Sequence, residues 1–134
     1  MNNYAHIAIL AGENSGDQIA ADLVNRMNSK HKGLCWQGMG GPAMQNAGVK
    51  LCSDYRDFAI MGYLCLFSRL RGLVKLIKKW KKLLKEEKPA ILICVDYPGF
   101  NLMMAKYAKR LGIRVIYYVC PKTWASRENR VKKL

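Results

Sequence analysis

The sequence predicts an α/β fold built on a parallel sheet. Three observations carry that expectation. Short apolar runs recur without a polar alternation, as in Ala5–Ala11 (AHIAILA), Ala90–Val95 (AILICV) and Arg114–Val119 (RVIYYV). Segments with helical spacing of apolar residues lie between the runs, and Gly or Pro marks the junctions. Strands without alternation are buried on both faces, and their alternation with helices implies right-handed βαβ crossovers.

Ala5–Ala11 ends at Gly12 and reads as a strand buried on both faces. A helix is predicted over Gln18–Met27, where Ile19, Ala20, Leu23, Val24 and Met27 share a face, with Ser15 or Asp17 as N-cap. Leu34–Met39 forms a second strand, closed by Gly40-Gly41-Pro42. Ala43–Ala47 is a short helix ended by Gly48. Phe58–Phe67 is strongly apolar and leads into a helix over Leu70–Lys88, with Leu70, Leu73, Val74, Ile77, Trp80 and Leu84 on one face. Pro89 ends that helix, and Ala90–Val95 is the central buried strand. Pro98 and Asn101 open a helix that runs through Leu111 and stops at Gly112, before the strand Arg114–Val119. Pro121 begins a polar, basic tail.

At 134 residues the chain suits one domain, and 51% hydrophobic with 24% charged residues is a globular composition. Lys and Arg number 23 against 9 Asp and Glu, a net charge of +14 that implies an anionic partner. The five cysteines (35, 52, 65, 94 and 120) include no CxxC, so reduced thiols in a cytosolic protein are expected. No Lys or Arg precedes Arg26, so no signal peptide is expected, and no segment qualifies as a transmembrane helix. No spacing of His, Cys and carboxylates suggests a metal, and no cofactor is expected.

In a parallel sheet the loops after the strands share one edge, where ligands bind. Here these are GENSGD, MGGP, DYPGFN and CPKTWAS. Gly12-Glu13-Asn14-Ser15-Gly16-Asp17 joins a strand to a helix start, where glycines and unpaired N–H groups favour an anion. The same segment also reads as a tight turn with a capping residue; it is neither GxGxxG nor a Walker A loop. Asp96 follows a buried apolar run, a costly place for a carboxylate unless it is paired or used. It reads as a general base in the crevice, or else as the cap of the next helix. Trp124 and the basic Arg127–Lys133 read as lining the crevice mouth, or else as a partly exposed C-terminal helix. Nine basic residues between Arg69 and Lys88 follow the apolar Tyr63, Leu64, Leu66 and Phe67. That pairing suits an anionic membrane surface, with Leu64, Leu66, Phe67, Leu70, Arg69, Arg71 and Lys75 as contacts. An ordinary crossover helix with a solvated basic face has the same pattern. Nucleic acid is the weaker reading, because no recognised binding motif accompanies the charge.

Taken together, these loops resemble the lipid-A-disaccharide synthase family. The matching residues are Ala11-Gly12-Glu13-Asn14-Ser15-Gly16-Asp17, then Gly40-Gly41-Pro42-Ala43-Met44 with Gly48, then Ala59-Ile60-Met61-Gly62. Val95-Asp96-Tyr97-Pro98-Gly99-Phe100-Asn101 and Tyr118-Val119-Cys120-Pro121-Lys122-Thr123-Trp124-Ala125-Ser126, with Arg130 beyond, complete the set. The resemblance implies the N-terminal, acceptor-side half of a GT-B glycosyltransferase, Rossmann-like with helices on both faces. It implies an inverting transfer of diacylglucosamine from UDP-diacylglucosamine to lipid X, with Asp96 as the base that deprotonates the acceptor hydroxyl. Substrate-binding residues would be Gly12, Glu13, Ser15, Gly16, Asp17, Gly41, Pro42, Met61, Pro98, Asn101, Pro121 and Trp124. The implied location is cytoplasmic, peripheral on the inner face of the bacterial inner membrane.

The sequence departs from the family pattern at Gly99, where many members carry a second carboxylate, and at Cys120 and Ser126. The expectation is a single domain over residues 1–134 without the UDP-sugar-binding domain, inactive alone and completed by a separate C-terminal half. The rival expectation is a non-enzymatic basic α/β module that binds anionic lipid or nucleic acid.

Overall fold

The computed structural model describes residues 4–57 and 66–118, with backbone alone at 66–69. The apolar runs form the predicted sheet: β1 (Ala5–Ala11), β2 (Leu34–Gly40), β3 (Lys50–Asp54), β4 (Ile91–Val95) and β5 (Arg114–Tyr117). Their order is β3-β2-β1-β4-β5 and every neighbouring pair is parallel. This is the order of a Rossmann-like half-sheet. Among the described residues the strands are joined by α1 (Asn14–Lys30), α2 (Pro42–Asn46), α3 (Leu66–Glu87) and α4 (Pro98–Arg110).

Alternate residues of β1 feed two cores. Ala8 and Leu10 join Leu92 and Cys94 of β4 beneath α3 and α4, with Leu76, Trp80, Leu84, Phe100 and Met104. Ile7, Ile9 and Ala11 join Trp36, Ile93 and Val95 beneath α1 and α2, with Ala20, Val24 and Met44. The helices therefore cover both faces of the sheet. Each fully buried large aliphatic side chain in these layers contributes about 1.5–3 kcal/mol relative to exposure. Trp80 is completely buried and donates its indole N–H to Ser53 Oγ (3.3 Å), which fastens α3 to the edge strand β3.

Three expectations are corrected. Lys50–Asp54 is a strand that its residues do not announce. It lies at the sheet edge, and its polar Lys50, Ser53 and Asp54 leave no apolar run to read. Helix α1 begins at Asn14, not Gln18, and Glu13 stands at its N-cap without a side-chain hydrogen bond, so neither Ser15 nor Asp17 caps it. The apolar face of α3 is split. Leu76, Trp80 and Leu84 are buried, whereas Leu70, Leu73 and Val74 are 53%, 38% and 48% exposed. Around the helix Leu73 lies between the buried Trp80 and Leu84, so the division runs along the axis: the turns that carry Leu70, Leu73 and Val74 precede the packed stretch that begins at Leu76.

The remaining helix ends follow expectation, with Gly48 and Gly112 at positive φ just beyond α2 and α4. Helix α3 stops differently. Lys88 sits at φ 39° with its N–H on the Leu84 carbonyl (3.1 Å). A left-handed position strains a residue that carries a Cβ by about 1 kcal/mol or more. Lys88→Gly should therefore stabilise the chain by about 0.5–1 kcal/mol, after allowance for the unfolded-state entropy of glycine. A rise in the urea midpoint at unchanged slope checks this; a fall would mean that the lysine side chain outweighs its backbone strain.

Candidate functional site

The chain leaves β1 toward β2 on one side, and β4 leads to β5 on the other. The crevice at such a switch point opens between the loops that follow β1 and β4. Gly12 and Glu13 form one lip, and Asp96 and Tyr97 the other.

The β1–α1 lip is built around a buried carboxylate. Asp17, 1% exposed, accepts the N–H of Gly41 (2.9 Å) and Met44 (3.0 Å) on Oδ1, and that of Ala43 (3.0 Å) on Oδ2. These are N–H groups at the start of α2, which has no side-chain cap of its own. The Asp17 carboxylate thus caps a helix remote from it in sequence, where a negative charge also meets the positive end of the helix dipole. Gly41 must lack a side chain here, because an added Cβ would lie 2.8 Å from Asp17 Oδ2 and collide with the Tyr55 ring. Tyr55 donates its N–H to the Gly40 carbonyl (3.0 Å) and its hydroxyl to Asn14 Oδ1 (3.5 Å). Partial burial, and then the Asp17 charge, raise the Tyr55 phenol above its ordinary value, so it stays a neutral donor. Beside it the Arg56 guanidinium binds Asp54 in a fork (2.6–3.1 Å) and holds that carboxyl below the usual range.

The β4–α4 lip is held by a buried amide. Asn101 is completely buried, and its Nδ2 donates to the carbonyls of Leu10 (3.2 Å), Val95 (3.3 Å) and Asp96 (2.8 Å). It therefore joins the ends of β1 and β4 rather than capping α4. Asp96 and Tyr97 lie consecutively at φ 50° and 48°, a left-handed pair without glycine. Tyr117 reaches across from β5 and donates its hydroxyl to the Asp96 carbonyl (2.8 Å). The Tyr97 ring lies against Gly12, where any Cβ would overlap it. The two lips therefore touch. Asp96 is half-exposed, and its carboxylate makes no hydrogen bond among the described residues. Cys94 beneath them is inert: burial pushes its thiol up to about 12.

The crevice edge thus gathers Gly12, Glu13, Ser15, Asp96 and Pro98, with Glu13 and Ser15 exposed. Pro42 is exposed beside it, at the first position of α2. Gly16, Asp17, Gly41 and Asn101 are buried and serve as its framework. Leu70, Arg71 and Lys75 stand exposed on α3. Met61, Leu64, Pro121, Trp124 and the basic tail lie outside the described residues, as do the side chains of Leu66, Phe67 and Arg69. Sequence reasoning missed Tyr55, Tyr97 and Tyr117 as parts of the site. Only Tyr97, inside the DYPGFN loop, carried a signal.

Removal of the Asp17 carboxylate leaves three buried N–H groups without an acceptor. Asp17→Ala should destabilise the chain by about 3 kcal/mol, as for a buried charged hydrogen-bond acceptor. Denaturant unfolding measures the loss, and a change below about 1 kcal/mol would show that water replaces the carboxylate.

The family model for lipid-A-disaccharide synthetase matches residues 7–134. The lipid-A-disaccharide synthase of Trichlorobacter lovleyi is 40% identical over 128 residues, covering 96% of this chain and 33% of that protein. That of Nitrosococcus oceani is 41% identical over 133 residues, with 99% and 34% covered. Lipid-A-disaccharide synthase 1 of Legionella pneumophila subsp. pneumophila (strain Philadelphia 1) is 42% identical over 132 residues, with 98% and 34% covered. The chain spans about a third of the length of these curated relatives.

Proposed function

The chain belongs to the lipid-A-disaccharide synthetase family, and we propose that it forms the acceptor-side domain of an inverting glycosyltransferase of lipid A assembly. The observation that carries the reading is Asp96. It is a carboxylate without a hydrogen-bond partner among the described residues, at the end of the interior strand β4, on the lip of the switch-point crevice. The proposed acceptor is lipid X and the donor UDP-diacylglucosamine.

In this reading Asp96 takes the proton of the acceptor hydroxyl as its oxygen attacks the anomeric carbon. The new C–O bond forms on the face opposite the bond to UDP, whose electron pair leaves with the diphosphate, and the configuration inverts. The proton ends on the Asp96 carboxylate and passes to solvent. The start of α1, without a side-chain cap, offers N–H groups suited to an anionic group of the acceptor, such as its 1-phosphate. Gly12 lets the Tyr97 ring pack against the backbone of that lip.

The 134 residues alone are expected to transfer no sugar, since positioning of the donor accounts for much of the rate of such a reaction. Fusion of the remaining two-thirds of a relative after Leu134 should restore formation of the disaccharide. In that fusion Asp96→Asn should lower turnover by about 10²–10⁴-fold, with acceptor binding little changed. A loss below about tenfold would make Asp96 structural and turn attention to the exposed Glu13.

A second reading concerns the location of this chemistry. Leu70, Leu73 and Val74 are exposed on α3 beside Arg71, Lys75, Lys78 and Lys79, which suits peripheral contact with an anionic bilayer. No helix among the described residues is long and apolar enough to cross a membrane. Each basic residue near the surface adds about 1 kcal/mol of attraction, and the three aliphatic side chains add the hydrophobic part. Sedimentation with vesicles rich in phosphatidylglycerol should show binding that weakens at least about tenfold in the Leu70→Ser, Leu73→Ser, Val74→Ser variant. Equal binding by both would leave diffuse charge alone, and preference for duplex DNA would favour the non-enzymatic rival.

A further inference from the structure

Asp96 and Tyr97 occupy a backbone region that residues with a Cβ enter rarely, and they do so in succession. Such strain persists only where the surroundings over-determine it. The surroundings here are specific. The Asp96 carbonyl, at the joint of the two left-handed residues, receives the Asn101 amide and the Tyr117 hydroxyl, both at 2.8 Å. Two donors on one carbonyl fix the plane of the Asp96–Tyr97 peptide, and with it ψ of Asp96 and φ of Tyr97. Those donors come from α4 and β5, so the peptide is clamped from two separate elements. The Asn101 amide is anchored by further bonds to Leu10 and Val95, and its Oδ1 is buried without a partner among the described residues. An amide that leaves its own acceptor unsatisfied is held for its donors.

We infer that Asn101 and Tyr117 are positioning residues that hold Asp96 in the left-handed conformation and thereby aim its carboxylate at the acceptor hydroxyl. The inference rests on the reading of Asp96 as general base and adds the device that orients it. Burial alone does not explain the pair, because an extended Asp96 would leave the same apolar strand intact. With the carbonyl turned inward onto its two donors, the half-exposed side chain is left to the crevice edge. Tyr97, seated on Gly12, blocks a return to extended geometry from the other side.

Tyr117→Phe deletes one hydroxyl from a strand at the sheet edge and tests this directly. In the isotopically labelled 134-residue chain, the φ-dependent couplings and backbone shifts of Asp96 and Tyr97 should move away from left-handed values. The other strand signals should stay in place. In the unaltered chain the Tyr117 hydroxyl proton should exchange slowly and lie close to the Asp96–Tyr97 peptide, an observation that needs no substitution. In the fusion described above, Tyr117→Phe should lower kcat by about 10- to 100-fold at nearly constant KM, as expected for a reacting group displaced by up to about an ångström. Unchanged couplings, or a kcat within twofold of the parent while Asp96→Asn remains severe, overturn the positioning role and leave the base reading standing. A mild effect of Asp96→Asn overturns both.

Discussion

One buried carboxylate organises the edge of the sheet where the crevice opens. Asp17 lies in the first turn of α1, yet its hydrogen bonds go to the start of α2. A carboxylate removed from water is costly unless charge-assisted hydrogen bonds replace its solvation. Three backbone N–H groups do so here, and α2 offers no competing cap. The arrangement couples two loops that sequence separates, since α1 cannot shift along β1 without uncapping α2. The close packing at Gly41 follows from it, because the carboxylate and Tyr55 both occupy the space that a side chain there would need.

The other lip is organised by an amide instead of a charge. Asn101 carries donors to three carbonyls at the ends of β1 and β4, where strand hydrogen bonding runs out. A parallel sheet always has such a frontier, because each strand ends against a turn rather than a hairpin. Water would ordinarily satisfy those carbonyls. Here the amide excludes it, which keeps β1 and β4 in register up to the point where the chain diverges. The crevice therefore has rigid walls made by framework residues and a lip whose acidic groups, Glu13 and Asp96, remain accessible.

Charge and shape divide between different parts of the molecule. Basic residues concentrate on α3, and the exposed Leu70, Leu73 and Val74 lie on the same helix. Helix α3 is anchored by Leu76, Trp80 and Leu84, which leaves Leu70, Leu73 and Val74 exposed nearer its start.

Much of this was legible in the sequence because burial on both faces writes itself as uninterrupted apolar runs. Ala5–Ala11 and the core of Ala90–Val95 identified the interior strands β1 and β4, and Gly48 and Gly112 the ends of α2 and α4. The DYPGFN loop brought Asp96 to the crevice edge for the same reason: a carboxylate after a buried run must lie where the strand ends. An edge strand such as Lys50–Asp54 has one face and one side unburied, so its residues carry no comparable imprint. Which face of α3 is buried depended on the extent of the sheet beneath it, a quantity no local period contains. The partners of Asp17 and Tyr117, and the Leu10 partner of Asn101, were decided by tertiary structure alone. A side chain's choice of hydrogen-bond acceptor or donor is set by what folding brings within 3 Å or so of it, and the residues brought there are 24 to 27 positions away for Asp17, 91 for the Leu10 partner of Asn101 and 21 for Tyr117.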